Sequence, residues 1–500
     1  MKKISALLLL FCMLFSVFAC DYNTQTEVPV NSEKIITDKG IELDGEIEQS
    51  TPTDNENDEL QFEGEFLQVG YSRVDITPDG PVYLDETTVL TSVLSNTYAT
   101  CVAVYDGNKT ILMYTIDTKN ISSGESAQIR MKIFAATKVQ SQNITISSTH
   151  THSAPKLGNL KNKPENVEWT NKVHQAMITA AKEAIADLSD AKVYIATGKT
   201  TGMAFVRRWL LADGTYSGIH NGNKSKAAVV AYESEADDTV QVIRFVRDDK
   251  KDVLMANWQS HAASAIGVSP RALTADLVGY ARDNAESLDD DVLFALYIGA
   301  SGNISLNAKV AGTRKYKDYK AVGKALGKVI IEACGEMERV HAGKIYVSAA
   351  NSNVDVRKAD AESIEKAKAF ETLDVDTPEY QELLNKYGLN SKYEVESITK
   401  RVNASATESF YISAFSFGDL GFVSVPYEMF DTNGMQIKEG SPMKMTFVLT
   451  NANGWAGYIP SAEAVPHGGY EVYMTRYVFG TAERMVEELL NMLKDHVKNK

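Results

Sequence analysis

Apolar and polar positions along this chain follow two periods in turn, and the changeovers mark its elements. From Leu67 to Ile76 apolar residues fall largely at alternate positions, a strand pattern that Pro78 stops. A β-rich stretch runs on through Val104, turns at Asp106-Gly107-Asn108 and gives a strand over Thr110 to Asp117. Residues 125–138 read as a helix, and the β-branched run Ile144-Thr145-Ile146 reads as the next strand. Trp169, Val173, Met177, Ala180, Ala181, Ala184 and Leu188 recur at helical spacing, predicting an amphipathic helix over 165–188. Strands expected near 192–197, 239–246 and 252–258 precede a helix from about Ala275, a strand at Val292–Ile298 and a helix over 318–337. Phe410 to Val425 reads as a hairpin turned at Gly418-Asp419-Leu420-Gly421, Met445–Thr450 as a strand, and 480–497 as a closing amphipathic helix. The alternation predicts an α/β fold without internal repeats.

Two stretches break the pattern. Residues 20–65 are rich in Asp, Glu, Asn, Thr and Pro, with Asp54-Asn55-Glu56-Asn57-Asp58-Glu59 as the extreme, and read as a disordered, self-repelling tether. The folded part is then 66–500. Within it, 359–400 reads as an inserted, charged helical segment at the periphery.

Composition adds compartment and partners. Hydrophobic content of 44% and charged content of 23% belong to a globular protein, and the formal charge of −15, without a basic patch, argues against nucleic acid. Met1-Lys2-Lys3 followed by an apolar run to Ala19 is too short to span a bilayer in the mature protein. Ending Ser16-Val17-Phe18-Ala19-Cys20, it resembles a bacterial lipoprotein signal over 1–19. Cleavage would leave Cys20 lipidated and the protein membrane-anchored at the cell surface, with ordinary secretion as the alternative. Cys101 and Cys334 sit in apolar runs and read as buried, without a CxxC metal signature.

Chemistry concentrates where strand patterns give way to polar residues. The strand at Ile144 delivers His150 and His152 two residues apart, so an extended backbone would aim both imidazoles into one space. Such a pair suits a metal, or a metal plus a general base, and equally a polar strand end with hydrogen-bonded histidines. Four further runs show the same change: Asn257-Trp258-Gln259-Ser260-His261, Gly299 to Ser305, Val425-Pro426-Tyr427-Glu428, and Asn451 to Tyr458. Strand ends of α/β folds are where ligands usually bind. HExxH is absent.

Over roughly 68–480 the chain resembles the neutral/alkaline ceramidase family. The markers are Asp75-Ile76-Thr77-Pro78, His150-Thr151-His152-Ser153, the Asn-x-x-x-His ending in His261, Thr274 to Tyr280, Gly302-Asn303-Ile304-Ser305-Leu306-Asn307, Pro426-Tyr427-Glu428, Tyr458 and Gly469-Tyr470-Glu471. The resemblance implies layered mixed β-sheets with flanking helices and an active site at strand ends. It implies one catalytic zinc (Zn2+), with His150, His261, Glu428 and Tyr458 as ligands, and a metal-activated water attacking an amide carbonyl. His152 resembles the family's second histidine, placed for proton transfer or oxyanion contact. Arg207 resembles its active-site arginine, and Tyr470 its second tyrosine near the metal. For the neighbouring Arg208 a surface salt bridge is the expected role. His220 and His467 are candidate pocket residues, while His174, His341 and His496 read as surface positions.

Departures bear on substrate and nucleophile. Ser305 matches the family's Gly-Asp-x-Ser-Pro-Asn serine, but Asn303 replaces the acid and Leu306 the proline, which favours water over a serine nucleophile. The family pattern includes a C-terminal β-domain, and the expectation here is a resemblance to the catalytic domain only. The expectation is a zinc-dependent amide hydrolase, acting on ceramide or on another N-acylated lipid or amide. The rivals are a hydrolase centred on Ser305 and a surface binding lipoprotein that kept the fold without the chemistry. Nothing in the pattern assigns an oligomeric state.

Overall fold

The computed structural model describes residues 65–499 apart from 221–224, 376 and 403; the leader and nearly all of the tether expected over 20–65 lie outside the described residues. Two sheets form the centre. The larger has nine strands, running in the order Val292–Ile298, Asp252–Trp258, Thr239–Arg247, Ser189–Lys199, Gln68–Asp75, Tyr98–Tyr105, Thr110–Ile116 and Ile144–Ser148, with Glu338–Arg339 added beside Ser189–Lys199. Both end pairs are parallel and the inner pairings antiparallel. The smaller sheet orders Ile345–Asp355, Thr407–Phe417, Leu420–Ser424 and Met445–Leu449, with only the last pair parallel.

Period-two alternation decides which layer each side chain enters. On strand Tyr98–Tyr105, Val102 and Val104 join Phe245, Tyr297, Phe415, Phe422 and Phe447 in a core between the sheets. Cys101 and Ala103 on the same strand face Ile129, Ile133, Trp169, Val173 and Met177 of helices Ser123–Thr137 and Pro164–Ala186. Helices Asp276–Leu288 and Tyr319–Ala333 cover the rest of the larger sheet through Leu277, Ala281, Leu326 and Ile330. Helices Asp431–Gly440 and Thr481–Lys498 cover the outer face of the smaller one through Ile437, Met485, Leu489 and Leu493. The result is a helix–sheet–sheet–helix stack, the layered α/β arrangement expected. Both remaining cysteines are buried thiols.

Some local expectations need correcting. His174 and His496 are buried, not at the surface. His174 lies between Lys132 and Glu125, and the His496 ring nitrogens meet the hydroxyls of Ser348 and Ser416 at 2.8 and 2.9 Å. The segment expected at the periphery forms helices Ala361–Ala369, Pro378–Tyr387 and Lys392–Val402 around a small core of their own, including Phe370, Tyr380 and Leu384. From it Tyr393, Glu396 and Lys400 reach the lining of a cleft.

Candidate metal centre

The ends of the larger sheet are drawn toward each other by side chains. Thr115 Oγ1 donates to the Leu296 carbonyl at 2.7 Å, and the Tyr297 hydroxyl to the Met113 carbonyl at 3.0 Å. This brings the segment after Ile144–Ser148 near the segment after Asp252–Trp258. The loop after Met445–Leu449 stitches both sheets together at the same place: Thr450 Oγ1 donates to the Gly299 carbonyl, Asn453 N–H to the Ile146 carbonyl, and Ile146 N–H to Asn453 Oδ1. Four polar strand ends thus meet at one point.

His150 and His152 do meet there, though not by the extended geometry expected. The strand stops at Ser148, and His150 has φ +59°, in the left-handed region sparsely used by residues with a Cβ. The turn puts the two rings edge to face with centroids 4.9 Å apart. His152 N–H donates to the Ala262 carbonyl at 2.9 Å, locking this turn to the one that carries His261.

Both inner histidines are oriented from behind. His150 Nδ1 lies 2.7 Å from the Lys119 carbonyl, and His261 Nδ1 lies 2.8 and 3.1 Å from the carbonyls of Ser301 and Ile304. A carbonyl only accepts, so each Nδ1 carries a proton and Nε2 is the ring atom left to face the cluster. Those Nε2 atoms face the same carboxylate oxygen, Glu428 Oε2, at 3.4 Å from His150 and 3.0 Å from His261. His152 Nε2 lies 3.4 Å from His150 Nε2. Donors 2.0–2.1 Å from a tetrahedral zinc are about 3.3 Å from one another, so these separations suit that ion's coordination edges. The three imidazoles form a group able to hold a metal, and His150, His261 and Glu428 are at most 3% exposed.

Glu428 sits on a two-residue strand, Glu428–Met429, paired in parallel with Tyr458–Ile459 so that Glu428 lies opposite Tyr458. Trp455 Nε1 donates to its other oxygen at 2.9 Å. Burial opposes its charge, but His150 and His261 hold the carboxyl well below its ordinary range. Burial together with Arg207 pushes His261 down to about 4, and burial with Lys119 pushes His152 well down, so both imidazoles are neutral at pH 7. Burial and Glu428 push the Tyr458 phenol well up.

Behind the cluster lies a second buried network. Arg207 Nε donates to Glu471 Oε1 at 2.8 Å, and its Nη2 donates to the Tyr458 hydroxyl at 3.0 Å. Arg208 is no surface salt bridge: at 2% exposed it bonds Glu233, Glu471 and the Ala464 carbonyl. Burial opposes the Arg207 charge, yet Tyr458 and Glu471 outweigh it and keep the guanidinium charged. His467 bonds Glu233 at 2.7 Å and stacks on Tyr216, while His220 packs against Tyr470 and Tyr393.

The cluster forms the floor of a pocket of about 590 Å³ whose walls include Tyr458, Tyr470, Trp455 and Met474. Tyr470 is therefore in the pocket. Ser305 is not among its lining: paired opposite Phe205, its Oγ accepts from Asn307 N–H at 3.3 Å. No histidine or carboxylate bonds that hydroxyl among the described residues. Sequence reasoning missed Trp455 and Glu471 as parts of the site although both stood inside motifs it singled out, and missed Lys119 and Lys156, which carry no motif.

No protein-family model and no curated protein matches this sequence. Among solved structures, neutral ceramidase from Pseudomonas aeruginosa is similar with a TM-score of 0.66 at 16% identity, over 86% of this chain and 74% of that one. A ceramidase complexed with C2 is similar with a TM-score of 0.64 at 15% identity, over 87% and 76%. The chain has the neutral ceramidase fold.

Proposed function

We propose that this protein is a zinc-dependent, ceramidase-like hydrolase of N-acyl amide bonds. The observation that carries the reading is the convergence of two Nε2 atoms and one carboxylate oxygen at 3.0 and 3.4 Å, each imidazole fixed by a backbone carbonyl. His150, His261 and Glu428, with Tyr458 beside them, are the residues to hold the ion. Zinc supplies Lewis acidity, polarising an amide carbonyl and acidifying water. The neutral His152 accepts the proton of the attacking water and returns it to the departing amine nitrogen. Arg207 acts through Tyr458, its Nη2 donating to the phenol oxygen and so holding that oxygen toward the ion's other ligands, and Tyr470 closes the pocket wall. Water is the nucleophile, because nothing at Ser305 would deprotonate it.

The fold similarity to neutral ceramidases supports an N-acylated lipid as the substrate class. Lipidation at Cys20 would hold the enzyme at a bacterial membrane surface, where such substrates reside. Elemental analysis of the wild type beside His150→Ala and Glu428→Ala, followed by an N-acyl substrate screen starting with ceramide, tests the reading. About one zinc per chain, lost in both variants together with turnover, is expected. A well-folded wild type that binds no stoichiometric metal would overturn it.

A further inference from the structure

The pocket above the metal cluster carries cations in an otherwise acidic protein of net charge −15. Two of them are neutralised locally: Lys400 pairs with Glu396, and Arg476 with Glu408 at 2.8 Å. Lys119 and Lys156 are different. Both are half-buried, and neither ammonium makes a hydrogen bond or ion pair among the described residues. Lys156 Nζ lies 4.6 Å over the Trp455 ring, the indole that also donates to Glu428. The carbonyl of Lys119 is the one that orients His150. Lys156 thus reaches the cluster through one intervening indole, while Lys119 touches it through its backbone and lines the same pocket with its side chain.

Two ammonium groups share this space without a direct ion pair among the described residues, the Glu428 carboxylate acting on both through space. A neutral amide filling the pocket would strip water from these ammonium groups and return nothing, whereas an anion would form charge-assisted hydrogen bonds with them.

We infer that the pocket selects N-acyl amines whose head group carries an anion (carboxylate, sulfonate or phosphate), bound by Lys119 and Lys156. The inference rests on the amide-hydrolase reading and narrows its substrate class from neutral ceramides to acidic N-acyl lipids.

The test uses two non-hydrolysable dodecylsulfonamides with matched tails, one of taurine and one of ethanolamine. Each is titrated calorimetrically into the zinc-loaded full chain, its Lys119→Met/Lys156→Met double variant and Lys156→Glu. The expected result is at least about tenfold tighter binding of the taurine compound to the wild type. That preference should fall to within about twofold in the double variant, with ethanolamine-compound binding unchanged, and reverse in Lys156→Glu. Equal binding of the two compounds, or a preference that survives in the double variant, overturns the inference. Hydrolysis of N-lauroyltaurine and of ceramide, followed in parallel, separates the two readings. A binding preference without cleavage of either amide keeps the anion site and removes the hydrolase reading. Cleavage of ceramide with no binding preference does the reverse.

Discussion

Oε2 of Glu428 lies 3.0 Å from Nε2 of His261, although 167 residues separate them in the chain. With Nδ1 of His261 committed to carbonyls, both facing atoms are lone-pair donors, an arrangement that calls for a cation between them. Glu428→Gln removes that charge and leaves the shape. It is expected to lose bound zinc and to lower kcat/KM on the best N-acyl substrate by at least about 100-fold. Zinc content and turnover measured on one preparation check this, and retained zinc with full activity would refute it.

Gly302 is the backbone's accommodation to the strand that carries that carboxylate. A Cβ there would lie 2.5 Å from the Glu428 carbonyl oxygen, and Gly302 N–H donates to the Met429 carbonyl at 2.8 Å. Gly302→Ala should therefore push the Glu428 strand away, costing about 1–3 kcal/mol of stability. It should weaken zinc binding more than Ala substitutions in the surrounding cores do. Denaturation with and without chelator measures both.

How much of this the sequence disclosed depended on range. His150, His261, Glu428 and Tyr458 follow recognisable strand patterns, so the apolar-to-polar change at each strand end already marks their neighbourhood. The Arg208 network has no such mark, since its partners Glu233 and Glu471 are 25 and 263 residues away and nothing local signals the pairing. Strand Ile345–Asp355 also escaped, because Asn351 and Asn353 face solvent at an edge while the buried Ser352 takes an inward position, and together they erase the apolar alternation. Nor does any periodicity announce the left-handed turn at His150. Local chemistry was legible; long-range pairing was not.

Arg207→Met strands the Glu471 carboxylate in a buried site with Arg208 as its remaining partner, and takes the donor from the Tyr458 hydroxyl. Breaking a buried pair from one side costs about 3–5 kcal/mol. Urea denaturation should show a loss of that size, with Arg207→Lys in between because an ammonium cannot serve both partners at fork geometry.

Ser305→Ala discriminates between nucleophiles. Its hydroxyl only accepts from Asn307 N–H, so turnover should stay within about tenfold of wild type. His150→Ala, in the same assay, should abolish it. Loss of activity in Ser305→Ala with the zinc content intact would restore the serine mechanism.

Asp431, bonded to Asn303 and buried, has its carboxyl pushed up to about 6 by burial. A carboxyl whose folded pKa exceeds its unfolded value near 3.9 stabilises the fold fully below the lower value and loses that contribution as pH rises through the higher. The stability of wild type relative to Asp431→Asn should therefore fall between about pH 4 and 6, by up to about 3 kcal/mol. Paired urea curves at pH 4.5 and 7 measure the difference; a constant gap would exclude it.

The three helices between Ala361 and Val402 hang from two antiparallel neighbours, Ile345–Asp355 and Thr407–Phe417, and keep a core of their own. They contribute Tyr393, Glu396 and Lys400 to the pocket lining, while every candidate ligand comes from a strand or from the loop that follows one. A change in that cassette would therefore reshape the entrance through Tyr393, which packs against Tyr470 of the pocket wall. The walls that meet an incoming molecule and the histidines beneath them are thus supplied by distinct stretches of chain that touch through a tyrosine pair.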